Sequence, residues 1–135
     1  MIELDPRDGV RLIKNVMIPM EDGVRVALDM HVPDDGSGDW RDRAHPLLLE
    51  FMPYRKDDAE PYTGYHNYFA QAGIIGARLD CRGSGSSEGV VGDEYTEREQ
   101  RDAYEAIEWL AQQPWCTGKI GMIGGSYGGF TCVQI

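Results

Sequence analysis

No apolar run in the 135-residue chain approaches the roughly 18 residues that a membrane-spanning helix needs. The opening Met-Ile-Glu-Leu-Asp-Pro-Arg-Asp has neither a basic stretch nor an apolar stretch, so no secretion leader is expected and the chain reads as cytoplasmic. Basic residues are scarce: 13 Lys and Arg stand against 23 Asp and Glu, a net charge of −10. That balance argues against nucleic acid or an anionic membrane as a partner held through a general basic field. Cysteine is scarce too. Cys81, Cys116 and Cys132 are odd in number and lack C-x-x-C spacing, which gives neither a disulfide framework nor a zinc site. They are expected to be buried or partly buried free thiols. Repeats and low-complexity tracts are absent as well.

What is present is one domain's worth of an ordinary globular composition, 41% apolar and 27% charged. Residues 12–19 and 24–32 are β-branched and apolar runs around the turn signal Glu21-Asp22-Gly23, which suits a hairpin. Residues 33–44 read as a surface loop. Pro46 to Met52 is a continuous apolar run of the kind a strand buried on both faces shows. A helix is expected over 62–72, ended by Gly73, and a strand over 74–80. Thr96-x-x-Glu99 forms a capping box, and Ala103, Ala106, Ile107, Leu110 and Ala111 mark one helical face ended by Pro114. Residues 119–124 form a last strand, and a helix opens near Gly128. Strands alternating with helices predict an α/β fold, a mostly parallel sheet with flanking helices behind an initial antiparallel hairpin.

Gly124-Gly125-Ser126-Tyr127-Gly128 is G-x-S-x-G between an apolar strand and a helix start. This is the context of an α/β-hydrolase nucleophile elbow, with Ser126 as nucleophile. A turn this sharp crowds the backbone two residues either side of the serine, and glycine at 124 and 128 removes the side chains that would clash. The Tyr127 N–H then lies at a helix N-terminus, where it can face a developing oxyanion. Tyr54 follows the strand ending at Met52, where this fold places its other oxyanion donor. Taken by itself, Tyr54 reads better as an aromatic packing at a loop base.

Three other features carry less. Asp80-Cys81-Arg82-Gly83-Ser84-Gly85 lacks a Walker lysine and a third glycine at dinucleotide spacing. It is expected to be a structural loop, with Asp80 and Arg82 joined as an ion pair. Asp57, Asp58 and Glu60 could meet a substrate ammonium but read better as a solvated loop. His31, His45 and His66 precede Ser126, whereas this fold runs serine, acid, histidine. They are expected to be structural, and no carboxylate here suits the triad either. No cofactor or metal is called for.

The strings I-P-M-E-D-G-V-R-V-A-L-D-M, L-L-L-E-F-M-P-Y-R-K, D-C-R-G-S-G-S-S-E-G and W-L-A-Q-Q-P-W-C-T-G-K-I-G-M-I-G-G-S-Y-G-G-F resemble the cocaine esterase (CocE/NonD) and X-prolyl dipeptidyl peptidase family, from about residue 15 onward. The resemblance implies a serine hydrolase acting on esters, amides or short peptides. It implies Ser126 as nucleophile, with the Tyr127 N–H and the Tyr54 hydroxyl as oxyanion donors. Family enzymes are several times longer, so residues 1–135 are expected to be the N-terminal segment of the catalytic domain. The triad acid and histidine would then lie outside the chain, and the segment alone is expected to be poorly soluble, its elbow strand being an exposed edge. The alternative is a non-catalytic remnant with only a binding or association role. Oligomeric state and the choice between esterase, acylase and peptidase are not encoded legibly.

Overall fold

The computed structural model describes residues 1–58 and 64–135. Six strands form one sheet: β1 (Ile2–Glu3), β2 (Val10–Pro19), β3 (Arg25–Pro33), β4 (His45–Met52), β5 (Ile75–Asp80) and β6 (Cys116–Met122). Among the described residues three α-helices accompany them: α1 (Gly64–Gln71), α2 (Glu97–Ala111) and α3 (Tyr127–Gln134). The spatial order is β1-β2-β3-β5-β4-β6. β1, β2 and β3 pair antiparallel, and β3 also meets β5 antiparallel, whereas β4 runs parallel to both β5 and β6. The sheet is therefore mixed, with its parallel half carrying the later strands.

The expected hairpin is β2–β3, closed by the Met20 N–H donating to the Val24 carbonyl at 2.8 Å and the Gly23 N–H to the Met20 carbonyl at 2.9 Å. The last strand begins earlier than its apolar residues suggest, at Cys116, and ends at Met122 rather than 124. The 33–44 loop contains a single 3₁₀ turn at Trp40–Asp42, whose indole is buried against Trp115. The first two residues of the expected 62–72 helix, like Glu60, lie outside the described residues.

Strand alternation explains why the helices lie on both faces. From β4 and β5, Leu47, Leu49, Phe51, Ile75, Ala77 and Leu79 share one core with Ala103, Ala106 and Leu110 of α2. On the other face, Glu50 and Gly76 meet α1. Glu50, opposite Arg78 in the register, accepts from His66 Nε2 at 2.8 Å and pairs with Arg78 Nε at 2.8 Å. Gly76 lets α1 approach this face closely, since a Cβ there would lie 2.7 Å from the His66 carbonyl. Burial, with the nearby His66 and Arg78 charges, holds the His31 imidazole down to about 4.

Parallel pairing has one consequence for function. The C-terminal ends of β4, β5 and β6 lie side by side, so the loops after Met52, Asp80 and Met122 gather at one edge. Open α/β sheets place their ligands outside the carboxyl ends of such strands.

Candidate active site

Ser126 occupies the turn between β6 and α3 with φ 53° and ψ −118°. Positive φ is costly for a residue with a Cβ, and such strain persists only where the surroundings impose it. Ser126 is exposed, and its side chain makes no capping hydrogen bond to α3. Its carbonyl accepts the Phe130 N–H at 3.0 Å, so the helix begins at once.

The two flanking glycines are not equivalent. A Cβ on Gly124 would lie 2.5 Å from the Gly128 carbonyl carbon and 2.7 Å from its Cα, which backbone cannot yield. A Cβ on Gly128 would meet only the Phe51 carbonyl oxygen, at an ordinary 3.8 Å. The sequence argument for two steric glycines thus holds at 124 and not at 128. Gly124→Ala is expected to destabilise the turn by about 1–3 kcal/mol through overpacking. Gly128→Ala should be neutral or gain up to about 1 kcal/mol from reduced unfolded-state entropy. Comparing urea midpoints of the two variants checks this, and equal losses would contradict it.

Tyr127 opens α3 with its side chain buried. Its hydroxyl donates to the Glu99 carboxylate at 2.8 Å, and Tyr95 stacks on its ring at 4.4 Å between centroids. Burial and that carboxylate raise the phenol well above the usual tyrosine range, so the side chain stays neutral. The Tyr127 hydroxyl is therefore occupied away from the serine, leaving the backbone N–H as the group at the turn. Thr96 caps α2 by accepting the Glu99 N–H at 3.2 Å, as the capping box predicts. Glu99 departs from the box by accepting from the Tyr95 N–H at 3.2 Å, one residue before the cap. Its carboxylate thereby links the start of α2 to the start of α3.

Tyr54 stands on the loop after β4, 58% exposed, with its ring edge-on to Tyr127 at 6.3 Å. The three expected site residues are thus neighbours at one end of the sheet. The loop is held from below. The Pro53 carbonyl accepts from Ser84 Oγ at 2.6 Å, and the Lys56 N–H donates to Asp80 Oδ1 at 2.7 Å. Asp57 is not merely solvated: Lys14 Nζ at 2.5 Å, aided by Lys56, holds its carboxyl down to about 2. Asp58 pairs with Arg55 at the surface.

The charges of the glycine-rich loop after β5 pair differently from the expectation. Asp80 and Arg82 do not meet. Asp80 is fully buried and binds the Lys56 and Ser86 N–H groups, the latter at 2.9 Å. Gly85 makes room for it, since a Cβ there would fall 2.1 Å from Asp80 Oδ2. Arg82 points to α2, where Nε and Nη2 each lie 2.7 Å from the buried Asp102 carboxylate. β5 ends at Asp80 and the chain turns at once, the Ser84 N–H bonding the Cys81 carbonyl at 2.9 Å, so the two side chains leave toward different elements despite their proximity in sequence. Cys81 between them is a buried free thiol, raised by burial and by Glu99, Asp80 and Asp102. Cys116 is likewise buried and free, while Cys132 is partly exposed.

None of the histidines bonds to Ser126 among the described residues. His66 is taken by Glu50, His45 Nδ1 lies 3.1 Å from the Gly73 carbonyl, and His31 stacks on His66 at 5.9 Å.

A parallel half-sheet with helices on both faces and a serine-bearing strand–turn–helix at its carboxyl edge defines an α/β-hydrolase-type chain. More particularly, residues 22–135 match the X-Pro dipeptidyl-peptidase (S15) family, and the chain belongs to that family. It is 38% identical over 120 residues to the cocaine esterase of Rhodococcus sp., a match that covers 87% of this chain and 20% of the esterase. Among solved structures, α-amino acid ester hydrolase superposes with a TM-score of 0.75 at 29% identity, covering 97% of this chain and 24% of that one. A CocE/NonD family hydrolase from Staphylococcus aureus gives 0.76 at 25% identity, covering 90% and 24%. The chain spans about a fifth of the length of the curated relative. Among the described residues no helix is long and apolar enough to cross a membrane.

Proposed function

We propose that residues 1–135 are the nucleophile-bearing N-terminal segment of a serine hydrolase that cleaves ester or amide bonds in small molecules or short peptides. Ser126 attacks the substrate carbonyl and carries the acyl group, which water then removes. The Tyr127 N–H and the Tyr54 hydroxyl donate to the oxyanion. The base that takes the Ser126 proton, and the acid that orients it, come from residues beyond 135.

The observation that carries this reading is the strained, exposed Ser126 at the β6–α3 turn, held there by a glycine that no other residue can replace without a clash. A serine with no catalytic task gains nothing from positive φ. The relationship to esterases and to an X-Pro peptidase family supports the reaction class. The choice between ester and amide rests on the walls of the acyl pocket.

Treating the full-length protein with a fluorophosphonate and mapping the adduct tests the assignment. One adduct, on Ser126, is the expected result. Intact protein with no adduct would support instead the reading as a non-catalytic relative.

A further inference from the structure

We propose that Lys56 is the positioning residue for Tyr54, its ammonium clamping the loop so that the tyrosine hydroxyl stays fixed at the oxyanion position. This rests on the role given to Tyr54 above.

A lysine two residues after an exposed tyrosine is ordinarily a solvated surface group. Here its side chain is 1% exposed. The Nζ lies 2.8 Å from Asn15 Oδ1, 3.0 Å from Asp57 Oδ2 and 3.3 Å from both Asp29 Oδ1 and Ser86 Oγ. Asp80 Oδ2 is 3.8 Å away. Apart from its neighbour Asp57, these partners come from four separate places: the bulge in β2, the middle of β3, the end of β5 and the glycine-rich loop.

The bulge itself is shaped for this contact. The register of β2 against β3 shifts between Ile13 and Val16. Asn15 sits there with φ 55°, its N–H bonded to Asp29 Oδ1 at 2.8 Å and its side-chain oxygen turned to Lys56. Bulges re-aim side chains in this manner. Burial raises the Asp29 carboxyl, so this acid is held under Lys56 at a desolvation cost that a surface pair would avoid.

The clamp acts on Tyr54 because it closes the loop behind it. The backbone of Lys56 is fixed to Asp80, and the residue before Tyr54 is fixed by Ser84 to the same glycine-rich loop. Tyr54 itself has mostly solvent around it, so its position depends on these two tethers. An oxyanion donor must be in place before charge develops, and a displacement of about 1 Å can cost about 100-fold in rate.

A double-mutant cycle in the full-length protein tests the proposal, with kcat and KM measured on a p-nitrophenyl ester. Tyr54→Phe is expected to lower kcat about 10²–10³-fold. Lys56→Met is expected to lower kcat about tenfold or more while KM stays within about threefold. In the Tyr54→Phe background, Lys56→Met should then change kcat less than about twofold, because the group it positions is already gone. Should Lys56→Met not fold, Ser86→Ala removes one partner of the ammonium and leaves every charge in place. Its loss of about two- to fivefold in kcat should likewise vanish in the Tyr54→Phe background. Losses that multiply in the double variant would overturn the positioning role while leaving the oxyanion role of Tyr54 standing. An unchanged kcat for Tyr54→Phe alone would remove both.

Discussion

If Ser126 is the proposed nucleophile, Ser126→Ala lowers kcat/KM of the full-length protein on p-nitrophenyl esters by on the order of 10⁵–10⁶, with folding intact. The size follows from the role: removing a nucleophile from a concerted set costs about as much as removing the set, and what survives is oxyanion stabilisation and binding. The folding part follows from the turn. Ser126 is exposed, caps no helix through its side chain, and contributes its strain through its backbone. Alanine at φ 53° carries the same backbone penalty as serine, so the substitution isolates the hydroxyl. Circular dichroism beside the kinetics checks both halves. Retained activity in a folded variant would contradict the nucleophile assignment, and loss of the fold would contradict the account of the turn.

Arg82→Ala is expected to cost about 3 kcal/mol of stability, the low end of the range for breaking a buried ion pair. The fully buried acceptor is Asp102, inside α2. It takes a two-pronged bond from Arg82 at 2.7 Å on each side and a further bond from Arg98 Nε at 2.8 Å. Alanine at 82 leaves Arg98, which is 37% exposed, as the remaining cation on a desolvated carboxylate. It also frees the glycine-rich loop from the β2–β3 turn, where Arg82 Nη1 pairs with Asp22 at 2.8 Å. Arg82→Lys should recover less than half the loss, because an ammonium cannot match the planar fork. Urea unfolding monitored by tryptophan fluorescence provides the comparison. A loss below about 1 kcal/mol for Arg82→Ala would show that the pair is no more than a surface bridge.

These two expectations draw on different kinds of information. The turn that carries Ser126 was legible because its signal is local: a short strand, four glycines and a helix start define it from a dozen adjacent residues. The same holds for the β2–β3 hairpin, the buried β4 run and the Thr96 cap on α2. Arg82 was misread because charge pairing is decided in three dimensions. Its nearest carboxylate in sequence, Asp80, faces Lys56 and Ser86, while Asp102 reaches it from a helix twenty residues on. Lys56 was missed altogether, since a run of Arg, Lys and two Asp carries the composition of a solvated loop. The one available signal was the adjacent polar pair Lys14-Asn15 breaking the alternation of β2, which marks the bulge that receives the ammonium. Glu99 was half read. The capping box located it, but its bond to Tyr127 depends on how α2 and α3 meet.

The parallel order of the last strands was legible in the alternation of helices and strands. The antiparallel meeting of β3 with β5 was not, and with β1, β2 and β3 filling the first quarter of the chain it makes three of the five pairings antiparallel. What the site needs is the remaining part, β5-β4-β6, where parallel strands bring Tyr54, the glycine-rich loop and Ser126 to one edge.

The central claim is that a substrate acyl group passes through Ser126. Rapid acid quench of the full-length protein turning over a slowly deacylated p-nitrophenyl ester, followed by peptide mapping, measures this directly. The account predicts a covalent acyl group on the peptide that contains Ser126, formed within the burst of p-nitrophenol. A burst whose acyl group maps to any other residue, or steady turnover with unmodified Ser126, would contradict it.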